Sequence, residues 1–392
     1  MKIFHTADWH IGKVVNGISM LDDQKFVLDQ FVADVKREKP DVVIIAGDLY
    51  DTAVPSAAAV ELLDNVLVDL VIRNSTPVIA IAGNHDSPKR IAYAADIVKA
   101  AGLHIVGPLS AEMKPVVLND EHVEVHFHLV PYADPVAVRE LFDAPEVKTH
   151  DEAMQVIVER LRATMKPGVR HVLIGHAFVT PDGKAADNTS DSEKKLSVVG
   201  GAEHVNASHF AGFDYVALGH LHRAHDVGKA REVGQAHVRY SGSILKYSLS
   251  EANHKKGYSV VELQAGGSVQ ISDVPLVPVR DVKVVEGTIA EIERMTKSDD
   301  YVFVTLLDEE YVVNFVERVH SVFPNAMNVE RKKAREQFLL TQHSSGQRTK
   351  MSTIELFHSF FEEIMEQKPS DKMVEIFEDV LRSLERKGRE DE

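Results

Sequence analysis

The chain has 392 residues, 44% of them apolar, enough for more than one domain and a sizeable core. No apolar run reaches the roughly 18–20 residues of a membrane helix, the amino terminus lacks a signal-peptide layout, and cysteine is absent, which excludes disulfides and thiolate metal sites. A cytoplasmic protein with no membrane association is expected; its net charge of −16 opposes nucleic-acid binding by bulk electrostatics unless bound cations or a partner's basic surface offset it.

The first 275 or so residues alternate strand-like and helix-like segments. Residues 2–6 read as a strand, and 22–36 as a helix with Phe26, Leu28, Phe31, Val32 and Val35 apolar. The runs DVVIIA at 41–46 and PVIAIA at 77–82 read as strands buried on both faces. Residues 56–71, 88–101 and 153–165 are helical in pattern; 171–174, 215–218, 238–240, 258–263 and 269–274 are strand-like. Such alternation predicts a layered α/β core, here 1–275.

Pro275-Leu-Val-Pro278 looks like a boundary. Residues 276–345 then read as a small α+β unit, with its clearest strand at 301–307 and helix-like stretches at 289–295 and 311–322. A polar gap precedes a tail, 346–392, in which Ser352-x-x-Glu355 forms a capping box. Ile354, Phe357, Phe361, Ile364 and Met365 make one apolar stripe; Met373, Ile376, Phe377, Val380, Leu381 and Leu384 make a second. Such helices either form local core or dock on a partner, and the polar spacer favours docking.

Twenty histidines in an acidic chain direct the search for chemistry. Short motifs recur with one layout, a strand followed by a turn rich in metal-ligand residues. They are Asp8-Trp9-His10, Gly47-Asp48, Gly83-Asn84-His85-Asp86, Gly175-His176 and Gly219-His220-Leu221-His222. A lone Asp-x-His or Gly-Asp carries little weight, since Asp often caps a helix. All of them in order, each at the carboxyl end of a strand where α/β sheets place their sites, carry much more. Two carboxylates, one amide oxygen and four imidazoles suit Mn²⁺, Fe²⁺ or Zn²⁺, with Mn²⁺ favoured by its tolerance of oxygen ligands. Seven ligands exceed what one open catalytic ion needs. They suit two ions about 3.5–4 Å apart that share one carboxylate, Asp48.

The order DxH, GD, GNHD, GH, GHxH resembles the signature of the calcineurin-like metallophosphoesterases. The flanking residues Phe4–Lys13, Gly47–Asp51, Gly83–Ser87, Tyr240-Ser-Gly-Ser243 and Lys256-Gly-Tyr258 resemble the DNA-repair nuclease branch of that family. The resemblance implies a β-sandwich core flanked by helices, a capping domain, and C-terminal helices that bind the coiled-coil base of an ATPase subunit. It further implies a homodimer within a heterotetramer, and DNA as substrate. Asp8, His10, Asp48 and His222 would hold one ion; Asp48, Asn84, His176 and His220 the other. His85 would stand beside the scissile phosphate as a catalytic residue, and Asp86 would orient His85 or a neighbouring ligand.

Relatives in other lineages carry histidine where this chain has Asp51; a cap on the helix near Pro55 is the favoured reading of that residue. His225 and His254, and Lys89 and Arg90 after the GNHD turn, are candidate phosphate contacts. Arg331-Lys-Lys-x-Arg335 reads as a solvated helix face or a DNA-backbone contact, and the polar loop 182–197 as a cleft border or a mobile segment. The metal motifs alone also permit a phosphodiesterase or phosphatase for small or protein substrates, or a scaffold subunit with a vestigial site.

Overall fold

The structure is a computed structural model that describes residues 1–121, 123–183, 204–228, 236–308, 310, 312–332, 368–370 and 372–374, and residues 354, 357, 358, 361, 376 and 377. The chain divides into two compact units, Met1–Lys283 and Val284–Glu392.

The first unit is a sandwich of two six-stranded sheets. In chain order its strands are β1 (Lys2–Thr6), β2 (Val42–Ile45), β3 (Val78–Ile81), β4 (Leu103–Val106), β5 (Val116–Asn119), β6 (Glu124–Val130), β7 (Arg170–His176), β8 (Tyr215–Gly219), β9 (His225–Asp226), β10 (His237–Tyr240), β11 (Gly257–Leu263) and β12 (Val269–Pro275). One sheet runs β12-β11-β1-β2-β3-β4, the other β9-β10-β8-β7-β6-β5. Strands β1 to β4 are mutually parallel, as are β6, β7, β8 and β10. Antiparallel neighbours finish the edges.

Alternation of side chains explains the layering. Ile3, Val42, Ile44, Ile79, Ile81 and Val261 face Val125, Phe127, Leu129, Val172, Ile174 and Ala217 across a dry core. Outside the first sheet lies α1 (Leu21–Glu38), whose buried Val27, Leu28, Phe31 and Val35 follow the helical period. Phe31 of α1 meets Phe4 of β1 and Tyr258 of β11. Beyond the second sheet, Val138 and Phe142 of α3 (Pro135–Phe142) and Ile157, Val158 and Leu161 of α4 (His150–Arg162) pack on Leu173, Val216, Leu218 and Val238. Helix α2 (Ala57–Val68) starts at Ser56, whose hydroxyl accepts from Ala59 N–H, and runs into a π turn at Asp69–Arg73. The cap before this helix is therefore Ser56, not Asp51.

Other sequence expectations shift for local reasons. The stretch 88–101 is not one helix: Ala94, at φ 59°, stops it, leaving short turns at Pro88–Ile91, Ala95–Val98 and Lys99–Ala101. Helix α4 begins before 153, because Thr149 and Glu152 form a capping box. The strands β4 and β5 and the helix α3 had no strong pattern in the sequence.

In the second unit, β13 (Val282–Gly287, which begins just before it), β14 (Tyr301–Leu306) and β15 (Ala326–Arg331) form a three-stranded sheet. Ile289, Ile292, Val319, Val322 and Phe323 pack on Val302, Val304 and Leu306 of β14. The helices here are shorter than the sequence suggests, Ile289–Ile292 and Phe315–Val322; the latter follows Asn314 at φ 54°. Phe357 and Phe377, one from each apolar stripe of the tail, stack with centroids 4.0 Å apart. The rest of the tail expectation falls largely outside the described residues, as do residues 184–197 of the polar loop and the basic cluster beyond 332.

Candidate metal centre

The loops after β1 and β2 run side by side beyond the sheet. Asp8 N–H donates to Gly47 O, His10 N–H to Asp48 O and Ile11 N–H to Leu49 O, at 3.1, 3.0 and 2.9 Å. This pairing holds Asp8 and His10 against Asp48. Asp8, His10 and Asp48 have φ of 53°, 46° and 50°, and His220 has 109°. Four non-glycine residues in a disfavoured region, all candidate ligands, mark backbone held under strain at a functional site.

Asn84 and His85 follow β3, His176 ends β7, and His220 and His222 follow β8. The two sheets meet closely here, since a Cβ on Gly219 would lie 2.0 Å from Ala46 O; within the first sheet, one on Gly83 would lie 2.1 Å from Asp48 Oδ1. Only glycine admits that approach. Asp8 ties the sheets together, its two carboxylate oxygens accepting from His220 N–H at 2.9 and 3.1 Å.

All seven candidate ligands converge. His10 Nε2 lies 3.1 Å from His222 Nε2 and 3.6 Å from Asp48 Oδ2. His176 Nε2 lies 3.4 Å from Asp48 Oδ2 and 3.0 Å from Asn84 Oδ1, which is 2.9 Å from His220 Nδ1. Asp8, His10 and His222 form one group of potential donors, and Asp8, Asp48 and His176 another. Asp8, His10, Asp48, His176 and His222 are buried; Asn84, His85 and His220 are half-buried at the mouth.

The donor set fits divalent cations. His176 Nδ1–H donates to Ala46 O at 2.8 Å, and His222 Nδ1–H to Glu251 Oε1 at 3.1 Å. These bonds fix the tautomers and leave each Nε2 facing other acceptor atoms. Facing lone pairs need a proton or a cation between them. Without ions, burial lowers the pKa of His10 to about 4. His176 is pushed the other way: the Asp48 and Asp8 carboxylates outweigh its burial, and it pairs as a cation with Asp48. Asp48 itself is held well below the usual carboxylate range by His176, His10 and His85 in spite of burial.

His85 belongs to a third group of potential donors, with His10 and Asp51. Its backbone N–H donates to Asp48 Oδ1 at 2.8 Å, and its Nδ1–H to Asp51 O at 2.8 Å. Its ring packs edge-on to His10 with centroids 4.7 Å apart. Asp86 does not orient the His85 ring. Its carboxylate accepts from Leu49, Tyr50 and Gly83 N–H at 3.1, 3.0 and 2.9 Å, pinning the loop after Asp48 to the turn that carries Asn84. Burial and the neighbouring Asp48 raise its pKa to about 6. Asp51 has Oδ1 3.2 Å from His10 Nδ1 and 2.7 Å from Lys13 Nζ, so it backs His10.

Several supporting residues carried no spacing that sequence reasoning could use. Gln24 Nε2 donates to the carbonyls of Trp9 and His10, at 3.1 and 2.7 Å, and to Tyr247 Oη at 3.0 Å. Gly12 N–H donates to Gln24 Oε1 at 2.9 Å. Glu251, fully buried, stands behind His222. His126 and His128 lie apart from this centre: His128 Nε2 is 3.0 Å from His171 Nδ1, and His126 Nε2 is 3.0 Å from Glu124. His225 stacks on Tyr240. Lys89 and Arg90 are exposed on the turn after the GNHD motif.

A two-sheet sandwich with a histidine–carboxylate–amide cluster at the carboxyl ends of its strands defines a metal-dependent phosphoesterase. Residues 1–224 match the calcineurin-like phosphoesterase family, and residues 278–364 match the Type 5 capsule protein repressor C-terminal domain. The chain is 34% identical over 331 residues to SbcD, the nuclease component of SbcCD, from Staphylococcus epidermidis, covering 83% of this chain and 84% of that protein. Among solved structures it resembles GAP50, the anchor in the inner membrane complex of Plasmodium, at 13% identity and a TM-score of 0.41, covering 84% of this chain and 96% of that one. A dimetal phosphatase from Danio rerio gives 12% identity and a TM-score of 0.40, covering 71% and 96%. The chain belongs to the calcineurin-like phosphoesterases and, within them, to the SbcD nuclease family.

Proposed function

We propose that this chain is a Mn²⁺-dependent DNA nuclease, an exonuclease on duplex ends and an endonuclease on hairpins or blocked ends. It would act in DNA repair, recombination and replication as the nuclease subunit of an SbcCD assembly, a homodimer joined to the SbcC ATPase in the cytoplasm. The observation that carries the reading is the convergence of seven metal-donor side chains from both sheets, in a chain that matches an SbcCD nuclease component over most of its length. No described helix is long and apolar enough to cross a membrane. The chain carries no G-x-x-x-x-G-K-[ST] loop, so any ATP dependence belongs to a partner.

Asp8, His10, Asp48 and His222 would hold one ion, and Asp48, Asn84, His176 and His220 the other. When bound there, two such ions would supply charge neutralisation at the phosphate and a water of lowered pKa for attack. The chain's own residues do the rest. Asp48 Oδ1 fixes the His85 backbone, and Asp51 O accepts a hydrogen bond from its Nδ1–H, so His85 Nε2 is the ring atom left for the substrate. There, as the imidazolium with both ring nitrogens protonated, it would stabilise the phosphoryl charge or give its Nε2 proton to the leaving oxygen. Lys89 and Arg90 add positive charge beside this turn for the phosphate backbone. The C-terminal segment 346–392 would dock SbcC through its apolar stripes.

The test is a Mn²⁺ assay comparing duplex ends, hairpins and small phosphoesters. Cleavage of DNA with little turnover of small phosphoesters is expected; the reverse would make the chain a small-molecule phosphodiesterase or phosphatase. Deletion of 346–392 should abolish co-purification with SbcC and spare cleavage by the core.

A further inference from the structure

We infer that Glu251 and Lys256 form a positioning pair for His222, setting the imidazole so that Nε2 points to the cation. This rests on the reading of His222 as a ligand, and no spacing with the ligand motifs marks either residue. Both are buried, at 0% and 7% exposure. A buried ion pair gains little over apolar packing, so its presence asks for a task beyond stability.

The geometry supplies one. Lys256 Nζ donates to Glu251 Oε2 at 2.5 Å, to Ser243 Oγ at 2.8 Å and to His222 O at 2.8 Å. One ammonium group therefore grips His222 at its backbone and, through Glu251, at its ring. Glu251 has no freedom of its own: Oε1 accepts from His222 Nδ1–H and Ser248 Oγ–H, each at 3.1 Å, and Oε2 also accepts from Tyr247 N–H at 3.3 Å. Ser243 N–H adds a second bond to His222 O at 3.2 Å. With Nδ1–H bonded to a carboxylate, the ring is held in the tautomer whose Nε2 lone pair faces His10 Nε2 at 3.1 Å. Ser243 and Lys256 both reach His222 O although neither is its neighbour in sequence.

The test is equilibrium Mn²⁺ binding by the full chain, read by electron paramagnetic resonance, with urea unfolding in metal-free buffer as the control for folding. Glu251→Ala should weaken Mn²⁺ binding about 10- to 100-fold while the protein remains folded. Glu251→Gln keeps an acceptor for Nδ1–H and should fall only a few-fold. A folded Glu251→Ala protein with wild-type affinity overturns the proposal. If Glu251→Ala does not fold, the nearly isosteric Gln variant decides, with a few-fold loss supporting the role and wild-type affinity overturning it. His222→Ala separates this from the underlying assignment. Wild-type Mn²⁺ binding in His222→Ala defeats the ligand reading, whereas its loss there beside an unaffected Glu251→Ala defeats only the positioning role.

Discussion

His10 Nε2 and His222 Nε2 lie 3.1 Å apart, one carried beyond β1 and the other beyond β8, so each sheet of the sandwich presents an imidazole to the same point. His10→Ala and His222→Ala should therefore each lower bound Mn²⁺ from two ions to one per chain. Metal analysis of protein purified without chelator checks this; two ions retained in both variants would remove these residues from the site.

Asp48 and His85 should separate binding from chemistry. Asp48 faces both His10 and His176, and it also accepts the His85 N–H. Asp48→Ala is expected to lose both metal and nuclease activity. His85→Gln should keep its metal and lose about 10²- to 10⁴-fold in kcat, the usual contribution of a positioned acid or base. Full activity in metal-loaded His85→Gln would show that His85 has no catalytic part.

Gly83 tests how tightly the centre is built. A methyl group there would meet Asp48 Oδ1 at 2.1 Å and Asp48 N at 2.3 Å. Gly83→Ala should destabilise the fold by about 1–3 kcal/mol and displace the Asp48 carboxylate. Urea unfolding and Mn²⁺ binding, measured together, should both be impaired.

A buried histidine away from the centre, His128, should add to acid sensitivity. Burial, and then the neighbouring His171 and His126, lower the pKa of His128 to about 3. The unfolded chain takes up a proton near pH 6.5, and the folded one resists until far lower. Stability is thus lost as pH falls below about 6.5, at up to about 1.4 kcal/mol per pH unit for this group. In metal-free buffer the urea midpoint should fall from pH 7 to pH 5, and fall less in His128→Leu. An equal slope in both proteins would assign the acid sensitivity elsewhere.

The ligands were legible in the sequence because each lies at or just beyond the end of a strand, and the apolar runs DVVIIA and PVIAIA mark two of those strands. Their support was not legible. Glu251 is 29 residues from His222, and Gln24 is 14 from His10; only packing brings them together. Asp51 looked like a helix cap because Pro55 follows closely, yet Ser56 performs that role and Asp51 turns toward His10. The break at Ala94 had no counterpart in the apolar pattern, since alanine in a left-handed conformation leaves no composition signal.

Each ion, as assigned, draws donors from both sheets: Asp8, His10, Asp48 and Asn84 from one, and His176, His220 and His222 from the other. A half-folded chain with a single sheet in place holds no complete set. With this assignment the ions would bind only after the sandwich has closed, so metal loading should slow its opening rather than speed its formation.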